Sequence, residues 1–309
     1  MILTVTLNTA LDITHRVPSL RPHASHRVSE VSERPGGKGI NVARVLAALG
    51  HEVTVTGFAG GTTGRILREQ LADVRGLVDE LVPVDGTTRR TIAVVDDRSG
   101  GTTQLNEPGP PISPAEWSAF QEAYAALLPA ASAVALCGSL PPGVPVGAYA
   151  GLLRTARAAG VPTLLDTSGS ALRRGIAGRP GILKPNADEL AELTGSHEPS
   201  TATRDARRRG AGAVVASLGP DGLLAVTPEG RWRATPPARL HGNPTGAGDS
   251  AVAGLLSGLV ENLPWPDRLT RAVALSAATV LSPVAGEFDR PAYEELRERV
   301  SVEQEASAA

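Results

Sequence analysis

The sequence lacks several features that mark whole classes of protein. It has one cysteine in 309 residues, which excludes an internal disulfide framework and predicts a reducing compartment. No apolar run approaches the roughly 20 residues that cross a bilayer, and the N-terminus does not have the pattern of a signal peptide. The net charge of -2 gives no electrostatic reason to expect nucleic acid or an anionic membrane as a partner. We therefore expect a soluble, cytoplasmic protein.

Lysine is nearly absent as well. Of the 30 lysine and arginine residues only Lys38 and Lys184 are lysines, and they stand in the segments "PGGKGIN" and "LKPNADE". Lysine is a compact point charge on a flexible stem, which suits a crowded phosphate better than the planar guanidinium of arginine. The two lysines are therefore candidates for phosphate contacts.

The rest of the composition is that of an ordinary globular protein, with 41% hydrophobic and 20% charged residues. Hydrophobic periodicity predicts strands and helices in alternation. The strands are expected at 2–7, 52–58, 133–139, 162–166 and 213–219, and the helices at 39–50, 63–71, 114–128, 146–159, 186–194 and 200–209. Alternation over this length predicts a parallel sheet that is covered on both faces.

Two polar regions fall outside this alternation. The polar segments "DITHRVPSL" and "ASHRVSEVSERP" are predicted to form a short sheet outside the core, and 89–97 and 101–107 are predicted to pair as a hairpin. The last residues, 301–309, are expected to form a frayed tail.

Two glycine-rich loops each precede an amphipathic helix. Apolar residues recur at helical spacing at 42, 45, 46 and 49 after "GGKG" and at 252, 255, 256 and 259 after "GAGD". The N-terminus of a helix offers free amides and a positive dipole end, and glycine lets an anion approach the backbone. Both loops are candidate phosphate sites, although a tight turn that needs a positive φ also explains a glycine pair.

Two other nucleotide-binding motifs fit these loops poorly. Gly246, Gly248 and Ala251 match the dinucleotide pattern G-x-G-x-x-A, but that pattern follows a strand directly, whereas "RLHGNPT" precedes it here. The "GGKG" loop differs from a P-loop because Gly39 stands where serine or threonine should follow the lysine. A dinucleotide-dependent oxidoreductase therefore ranks third among the alternatives, and titration with NAD(H) would test it.

Asp249 is unusual for a phosphate-binding loop. A carboxylate in the first turn of a helix is commonly a favourable partner of the helix dipole, but it would repel a bound phosphate. Phosphoryl transfer gives it a task, since an aspartate can accept the proton of the attacking hydroxyl while backbone amides stabilise the moving phosphoryl group. Asp249 is thus a candidate catalytic base.

Five motifs occur in order along nearly the whole chain: "PGGKGINVARVLAALG", "GSLPPG", "KPNADEL", "SLGPDG" and "GAGD". Together they resemble the PfkB family of ribokinase-like sugar kinases. The segments "LTVTLNTALDIT", "TTRRT", "LNEPGP" and "GNPTGAGDS" resemble the branch that contains 1-phosphofructokinases and tagatose-6-phosphate kinases. The resemblance implies an α/β fold, a ribokinase-like three-layer sandwich with a mostly parallel central sheet and a small β-sheet lid, in a single domain over 1–309. The lid would be the sheet at 12–33 and 87–106, and it would form the contact of a homodimer.

The resemblance also implies roles for individual residues. Asp249 would be the catalytic base, beside an anion hole made by Gly246, Ala247 and Gly248. Mg²⁺ would be held through water by Asn186 and Glu189. Arg89 would bind the phosphate already on the sugar, for which a guanidinium offers a two-pronged contact. The rest of the sugar site would be Asp12, Gly37, Lys38, Asn41 and Ser139, and the rest of the ATP site Lys184, Asn186, Ser217, Gly219 and Gly222.

Simpler explanations exist for several of these residues. Lys38 could be a solvated lysine, Arg89 a charge on an edge strand and Ser139 a turn residue. The N-x-x-E spacing of Asn186 and Glu189 also fits a helix cap.

Some positions depart from the family pattern. Asn8-Thr9 stands where the family often has Asn-Pro, and Asn243-Pro244 replaces Asp-Thr before "TGAGD". Arg90 occupies a position that is often uncharged, which suggests a second cation facing the substrate phosphate. Cys137 replaces a usual serine and is expected to be a small buried residue. These changes leave the kinase chemistry intact and the identity of the sugar open.

The resemblance therefore implies ATP- and Mg²⁺-dependent phosphorylation of a ketohexose phosphate. Fructose 1-phosphate is the first candidate, with tagatose 6-phosphate and fructose 6-phosphate as alternatives. A kinase of an unphosphorylated sugar or nucleoside is a further alternative, and a requirement for Arg89 would argue against it. An alternative from another functional class is a protein that senses a sugar phosphate without turnover. Such a sensor would need neither Asp249 nor the anion hole.

Overall fold

The computed structural model describes residues 1–240, 242–282 and 287–305. The strands are β1 (Ile2–Thr6), β2 (Ala10–Val17), β3 (Glu30–Gly36), β4 (Val53–Gly60), β5 (Leu77–Val84), β6 (Arg89–Asp96), β7 (Thr102–Asn106), β8 (Ala133–Cys137), β9 (Thr163–Asp166), β10 (Ile182–Leu183), β11 (Ala213–Ser217), β12 (Leu223–Val226), β13 (Arg231–Thr235) and β14 (Ser301–Glu305). The helices are α1 (Lys38–Ala48), α2 (Gly61–Ala72), α3 (Pro114–Leu127), α4 (Ala148–Ala158), α5 (Gly169–Gly175), α6 (Ala187–Thr194), α7 (Pro199–Arg208), α8 (Ala247–Val260), α9 (Trp265–Val280) and α10 (Arg290–Arg299).

A ten-stranded sheet runs through the middle of the molecule in the order β14-β13-β12-β11-β10-β9-β8-β1-β4-β5. The seven strands from β11 to β5 are parallel, and β12, β13 and β14 continue the sheet in antiparallel fashion. Every residue of β1, β8 and β9 is buried, as parallel strands covered on both faces require. The predicted parallel sheet is therefore confirmed.

Helices cover both faces of this sheet. One hydrophobic cluster lies under α1, α2, α8, α9 and α10, and the other lies under α3 to α7. The molecule is thus an α/β three-layer sandwich, and the predicted fold class is confirmed. In the described part of the chain, no helix is both long and apolar enough to cross a bilayer.

A second sheet of four strands, in the order β3-β2-β6-β7, stands apart from the large one. Strands β6 and β7 pair antiparallel, with Thr91 opposite Asn106, so the predicted hairpin is confirmed. Strand β2 pairs antiparallel with β3 and parallel with β6. We refer to these four strands as the small sheet.

The expectation of a frayed tail at 301–309 was wrong for residues 301–305. These residues form β14, which pairs antiparallel with β13 and places Arg231 opposite Glu305. The Glu305 carboxylate also forms ion pairs with Arg231 and Arg233 at 2.6 and 2.8 Å. The segment "SVEQE" is polar because it forms the exposed edge of the sheet, and main-chain pairing holds it there. Residues 306–309 lie outside the described residues.

Candidate active site

The polar residues of the site gather where the parallel strands end. Asp166 is the last residue of β9, Lys184 follows β10 directly, and Ser139 lies two residues beyond β8. The N-termini of α1 and α8 approach the same edge, because Asn41 of α1 contacts Asp249 of α8. The carboxyl edge of a parallel sheet is where open α/β folds bind ligands.

Asp249 lies in the first turn of α8 and is 7% exposed. The Asn41 side-chain amide donates a hydrogen bond to its Oδ2 atom over 2.9 Å. Burial raises the pKa of Asp249 to about 6, although the nearby charge of Lys38 and the Asn41 bond oppose the rise. A carboxylate with this pKa is ionised at neutral pH and basic enough to take a proton.

The amides at the start of α8 are arranged for an anion. Gly246 precedes the helix with a φ of 84° and supplies no side-chain cap. Ala247 N–H bonds to the Pro244 carbonyl and Ser250 N–H to that of Gly246. Within the described residues, the amides of Gly248 and Asp249 have no acceptor. Of the predicted anion-hole residues Gly246, Ala247 and Gly248, the amide of Gly248 is therefore open, whereas that of Ala247 is already bonded. The Asp249 amide, which was not predicted, is a second open donor at this helix end.

Both lysines of the chain meet at Asp166. Lys38 Nζ donates to Asp166 Oδ1 over 3.1 Å, and Lys184 Nζ lies 3.6 Å from Oδ2. Asp166 is 1% exposed, and burial alone would raise its pKa, but Lys184 and Lys38 together hold it below the usual range. In turn Asp166 raises the pKa of Lys38. The sequence reasoning missed Asp166, although an aspartate that ends a buried strand in "PTLLD" was an available signal.

A cavity of about 250 Å³ separates the small sheet from α1 and contains Asp12. Burial raises the pKa of Asp12 to about 6, against a hydrogen bond from Thr91 and the charges of Arg89 and Arg44. Asp12 is thus a half-buried acceptor close to two guanidinium groups, which suits sugar hydroxyls. Arg34 and Arg44 also line this cavity, and Glu287 bridges them.

Arg89, Asn8 and Ser139 form a connected group beside this cavity. Arg89 Nε donates to the Asn8 carbonyl over 3.3 Å, and its Nη1 donates to the Glu107 carbonyl. The Asn8 side chain donates to Ser139 Oγ over 3.0 Å. Arg89 and Ser139 therefore lie close together, and Asn8, which had not been singled out as a site residue, joins them.

Arg90 was expected to supply a second cation and does not lie there. Its Nη2 atom lies 2.7 Å from Glu107 Oε1, and both side chains are largely exposed. Neighbouring residues of a strand point to opposite faces of a sheet, so Arg89 and Arg90 diverge. Cys137 is fully buried, as expected, and burial raises the pKa of its thiol.

A larger cavity, of about 590 Å³, opens on the other side of Gly248. Four of the predicted ATP-site residues line it: Asn186, Ser217, Gly219 and Gly222. Its remaining walls are mostly apolar, with Leu223, Leu240 and Val273 among them. An apolar cleft that ends at helix amides fits a base joined to phosphates.

Asn186 and Glu189 form the helix cap that was the simpler explanation of their spacing. Asn186 Oδ1 accepts from the Glu189 amide at 2.8 Å, and Glu189 Oε2 accepts from the Asn186 amide at 2.9 Å. The cap leaves Glu189 Oε1 facing the site, 4.0 Å from Lys38 Nζ. No cluster of three or more acidic, histidine or cysteine ligands occurs among the described residues. Asn186 and Glu189 alone still fit Mg²⁺, because this ion commonly keeps several waters and takes its other ligands from phosphates.

Comparisons with known proteins agree over nearly the whole chain. The family model for pfkB family carbohydrate kinases matches residues 4–291. The 1-phosphofructokinase of Rhodobacter capsulatus is 39% identical over 290 residues, which cover 91% of this chain and 92% of that protein. The tetrameric inhibited form of phosphofructokinase-2 from Escherichia coli is 31% identical with a TM-score of 0.88, covering 96% of this chain and 98% of that one. Its complex with fructose-6-phosphate is 30% identical with a TM-score of 0.87 and the same coverage.

Proposed function

Because the chain belongs to the pfkB family of carbohydrate kinases, we propose that it transfers the γ-phosphoryl group of ATP to a phosphorylated ketohexose, with fructose 1-phosphate as substrate. The observation that carries this proposal is the buried Asp249 beside the open amides of α8, between the two cavities. The name of the Rhodobacter capsulatus relative supports the choice of sugar. We assign the protein to the cytoplasm, since its one cysteine is free and buried.

Asp249 acts as the base in this reaction. The sugar hydroxyl oxygen forms a bond to the γ-phosphorus while the bond to the leaving ADP oxygen breaks, and the hydroxyl proton goes to the Asp249 carboxylate. Asn41 orients that carboxylate through its 2.9 Å hydrogen bond. The amides of Gly248 and Asp249 and the ammonium of Lys184 stabilise the charge on the phosphoryl group.

The 590 Å³ cavity holds the nucleotide, with Ser217, Gly219 and Gly222 along its wall. Asn186 and Glu189 would hold Mg²⁺ through water, and the ion would neutralise phosphate charge. Glu189 is already oriented for this by its bond to the Asn186 amide.

The sugar phosphate occupies the space between the small sheet, which we propose is a lid, and the amino end of α1. Asp12 accepts sugar hydroxyls, while Lys38, Gly37, Asn41 and Ser139 line the rest of the site. Arg89 binds the phosphate that the sugar already carries. Its guanidinium is held by the carbonyls of Asn8 and Glu107, so little freedom is lost when the phosphate binds.

We propose that the protein is a homodimer through the small sheet. Val31 and Leu105 are 55% and 58% exposed on strands β3 and β7. Their neighbours Glu30, Ser32 and Gln104 line the sugar cavity, so Val31 and Leu105 point to the outer face. Light scattering should give a dimer for the wild type and a monomer for Leu105→Glu, and a wild-type monomer would refute this contact.

A coupled assay of ADP release tests the activity and names the sugar. Wild-type protein with Mg·ATP is compared on fructose 1-phosphate, fructose 6-phosphate, tagatose 6-phosphate and their unphosphorylated parents. We expect turnover on the phosphate esters, fastest with fructose 1-phosphate. Turnover on unphosphorylated sugars alone would refute the sugar-phosphate assignment, and ATP binding without ADP release on any sugar would favour a sensor.

Arg89→Gln and Arg90→Gln form a matched pair for the phosphate contact. Arg89→Gln should raise KM for the ester by about tenfold to a hundredfold, since a charge-assisted contact contributes about 1.5–3 kcal/mol. Arg90→Gln should leave KM unchanged within about threefold, because Arg90 lies on the opposite face of β6 and forms an exposed ion pair with Glu107. Equal effects of the two variants would contradict the assignment of Arg89.

A further inference from the structure

The two lysines of the chain belong to different elements yet meet at one carboxylate. Lys38 begins α1, the helix whose Arg44 lines the sugar cavity, and its Nζ donates to Asp166 Oδ1 over 3.1 Å. Lys184 follows β10, two residues before Asn186 of the nucleotide cavity, with its Nζ 3.6 Å from Asp166 Oδ2. A Cβ added at Gly248 would lie 3.6 Å from that same Nζ, so Lys184 reaches the amides of α8.

Because Lys184 and Asp166 are buried, the two lysine ammonium groups depend on the Asp166 carboxylate for their positions. Lys184 is 4% exposed and Asp166 is 1% exposed. A buried ammonium is costly unless an anion compensates it, and two ammonium groups this close repel each other. Asp249 and Glu189 are the other carboxylates nearby, but Asp249 is engaged with Asn41, and Glu189 lies 4.0 Å from Lys38 Nζ and has an ion pair with that lysine alone. Asp166 is therefore the group that keeps both ammonium ions in place.

The two contacts are not equivalent. Asp166 Oδ1 accepts a hydrogen bond from Lys38, whereas Oδ2 has no hydrogen-bond partner among the described residues. Lys184 Nζ, at 3.6 Å from Oδ2, is thus held less closely than Lys38 Nζ, at 3.1 Å from Oδ1. Lys38 is 39% exposed, whereas Lys184 is 4% exposed.

We propose that Asp166 is a positioning residue for both substrates: its single carboxylate holds Lys38 for the sugar phosphate and Lys184 for the nucleotide. The proposal rests on the proposed function of the site, because it assigns the two lysines to those two ligands. Asp166 itself touches neither ligand and acts only through the lysines. Its loss should therefore weaken the binding of both substrates, each through its own lysine.

Titration calorimetry with two probes, each added in the absence of the other, tests this. The probes are fructose 1-phosphate and a non-hydrolysable ATP analogue with Mg²⁺. Asp166→Asn keeps the shape of the side chain and removes its charge, and it should weaken both affinities by about tenfold, the size of one charge-assisted contact. Thr167→Val is the matched control, since it removes a buried hydrogen bond to the Gly138 carbonyl without a change of charge, and both affinities should stay within about twofold.

Double-mutant cycles separate positioning from general damage. In a Lys38→Met background, Asp166→Asn should no longer change the affinity for fructose 1-phosphate. In a Lys184→Met background, it should no longer change the affinity for the ATP analogue. The proposal would be overturned if Asp166→Asn weakened the affinity for one probe only. It would also be overturned if the affinity losses of the single variants added in full in the double variants.

Lys38→Met provides a second test that does not need the Asp166 variant to fold. Without Lys38 the carboxylate pairs with Lys184 alone and draws it away from the nucleotide, so affinity for the ATP analogue should fall about threefold or more. An unchanged affinity would overturn the proposal. A wild type that binds a different ketohexose phosphate would contradict only the proposed substrate, and the cycles would then be measured with that ester.

Discussion

The two glycine loops of the site, at 36–39 and 246–249, each begin a helix, but their glycines have different surroundings. A Cβ at Gly39 would lie 2.4 Å from Thr6 Oγ1 and 2.9 Å from the Val5 carbonyl, which is closer than real contacts allow. A Cβ at Gly248 would meet only Lys184 Nζ, at an ordinary 3.6 Å. The same kind of sequence motif therefore has two physical causes. Gly39 is required by packing against β1, whereas no packing contact of the described residues requires Gly248. Under the proposed function, Gly248 leaves room for the phosphoryl group.

The two loops also differ in charge. The first loop carries Lys38, whose ammonium is compensated by Asp166, and the second carries Asp249, which is buried and shares a hydrogen bond with Asn41. Under the proposed function, the cation of the first loop binds substrate and the carboxylate of the second loop accepts the proton. The following predictions test that division.

The largest effect is expected from Asp249→Asn. An amide cannot accept the proton of the attacking hydroxyl, so kcat should fall by about 10²- to 10⁴-fold, the usual contribution of a general base. Coupled ADP release measures it, with Asp267→Asn in the first turn of α9 as the control. Asp267 is exposed, and its variant should keep wild-type kcat. An Asp249→Asn protein with undiminished kcat would refute the role of the second loop.

The same variant should make the ligand-free protein more stable. Burial raises the pKa of Asp249 from 3.8 to about 6, so the folded state binds a proton more tightly than the unfolded state. The ionised carboxylate therefore destabilises the fold above about pH 6, by at most about 3 kcal/mol at about 1.4 kcal/mol per unit. Denaturant unfolding should give Asp249→Asn a free energy of unfolding higher than that of the wild type by this amount at pH 8. The difference should disappear as the pH falls toward 4. A gain in stability that does not change with pH would mean that the buried, ionised carboxylate is not its cause.

Gly39→Ala should destabilise the fold by about 1–3 kcal/mol, because its Cβ has no room beside β1. Gly147→Ala is the matched control, since a Cβ there would have no atom within 4 Å and φ is -85°. It should be neutral or gain up to about 1 kcal/mol. Denaturant unfolding of both variants gives the comparison, and equal stabilities would mean that packing does not account for Gly39.

Much of this architecture could be predicted from the sequence, because the periodicity of buried strands and helices is local. Strands β1 and β8 and helices α1 and α4 were predicted within a few residues of their observed bounds, and α8 was predicted to follow its glycine loop. The edge strand β14 was missed because its residues are polar and only pairing with β13 orders them. Asp166 was missed for a different reason. Its partners lie 128 and 18 residues away in the chain, and their meeting depends on strand order, which periodicity does not encode.

The residues of the candidate site also divide into those that the sequence reasoning found and those that it placed wrongly. Asp249 and the glycines of its loop could be found because a carboxylate beside a glycine-rich helix start is unusual in any sequence. The direction of Arg90 was mispredicted although the sequence held the signal, because neighbouring residues of the predicted strand 89–97 point to opposite faces of a sheet. The sequence reasoning therefore named the groups of the site more reliably than their orientations.

The measurement that tests the central comparison most directly is Gly248→Ala, with unfolding free energy and kcat determined on the same preparation. The account predicts an unfolding free energy within about 1 kcal/mol of wild type, since the added Cβ meets only an ordinary contact. It predicts a kcat lower by roughly tenfold or more, because the Cβ occupies the approach to the anion hole. A stable variant with wild-type kcat would contradict the claim that Gly248 is kept for a phosphoryl group, and with it the role assigned to the second loop.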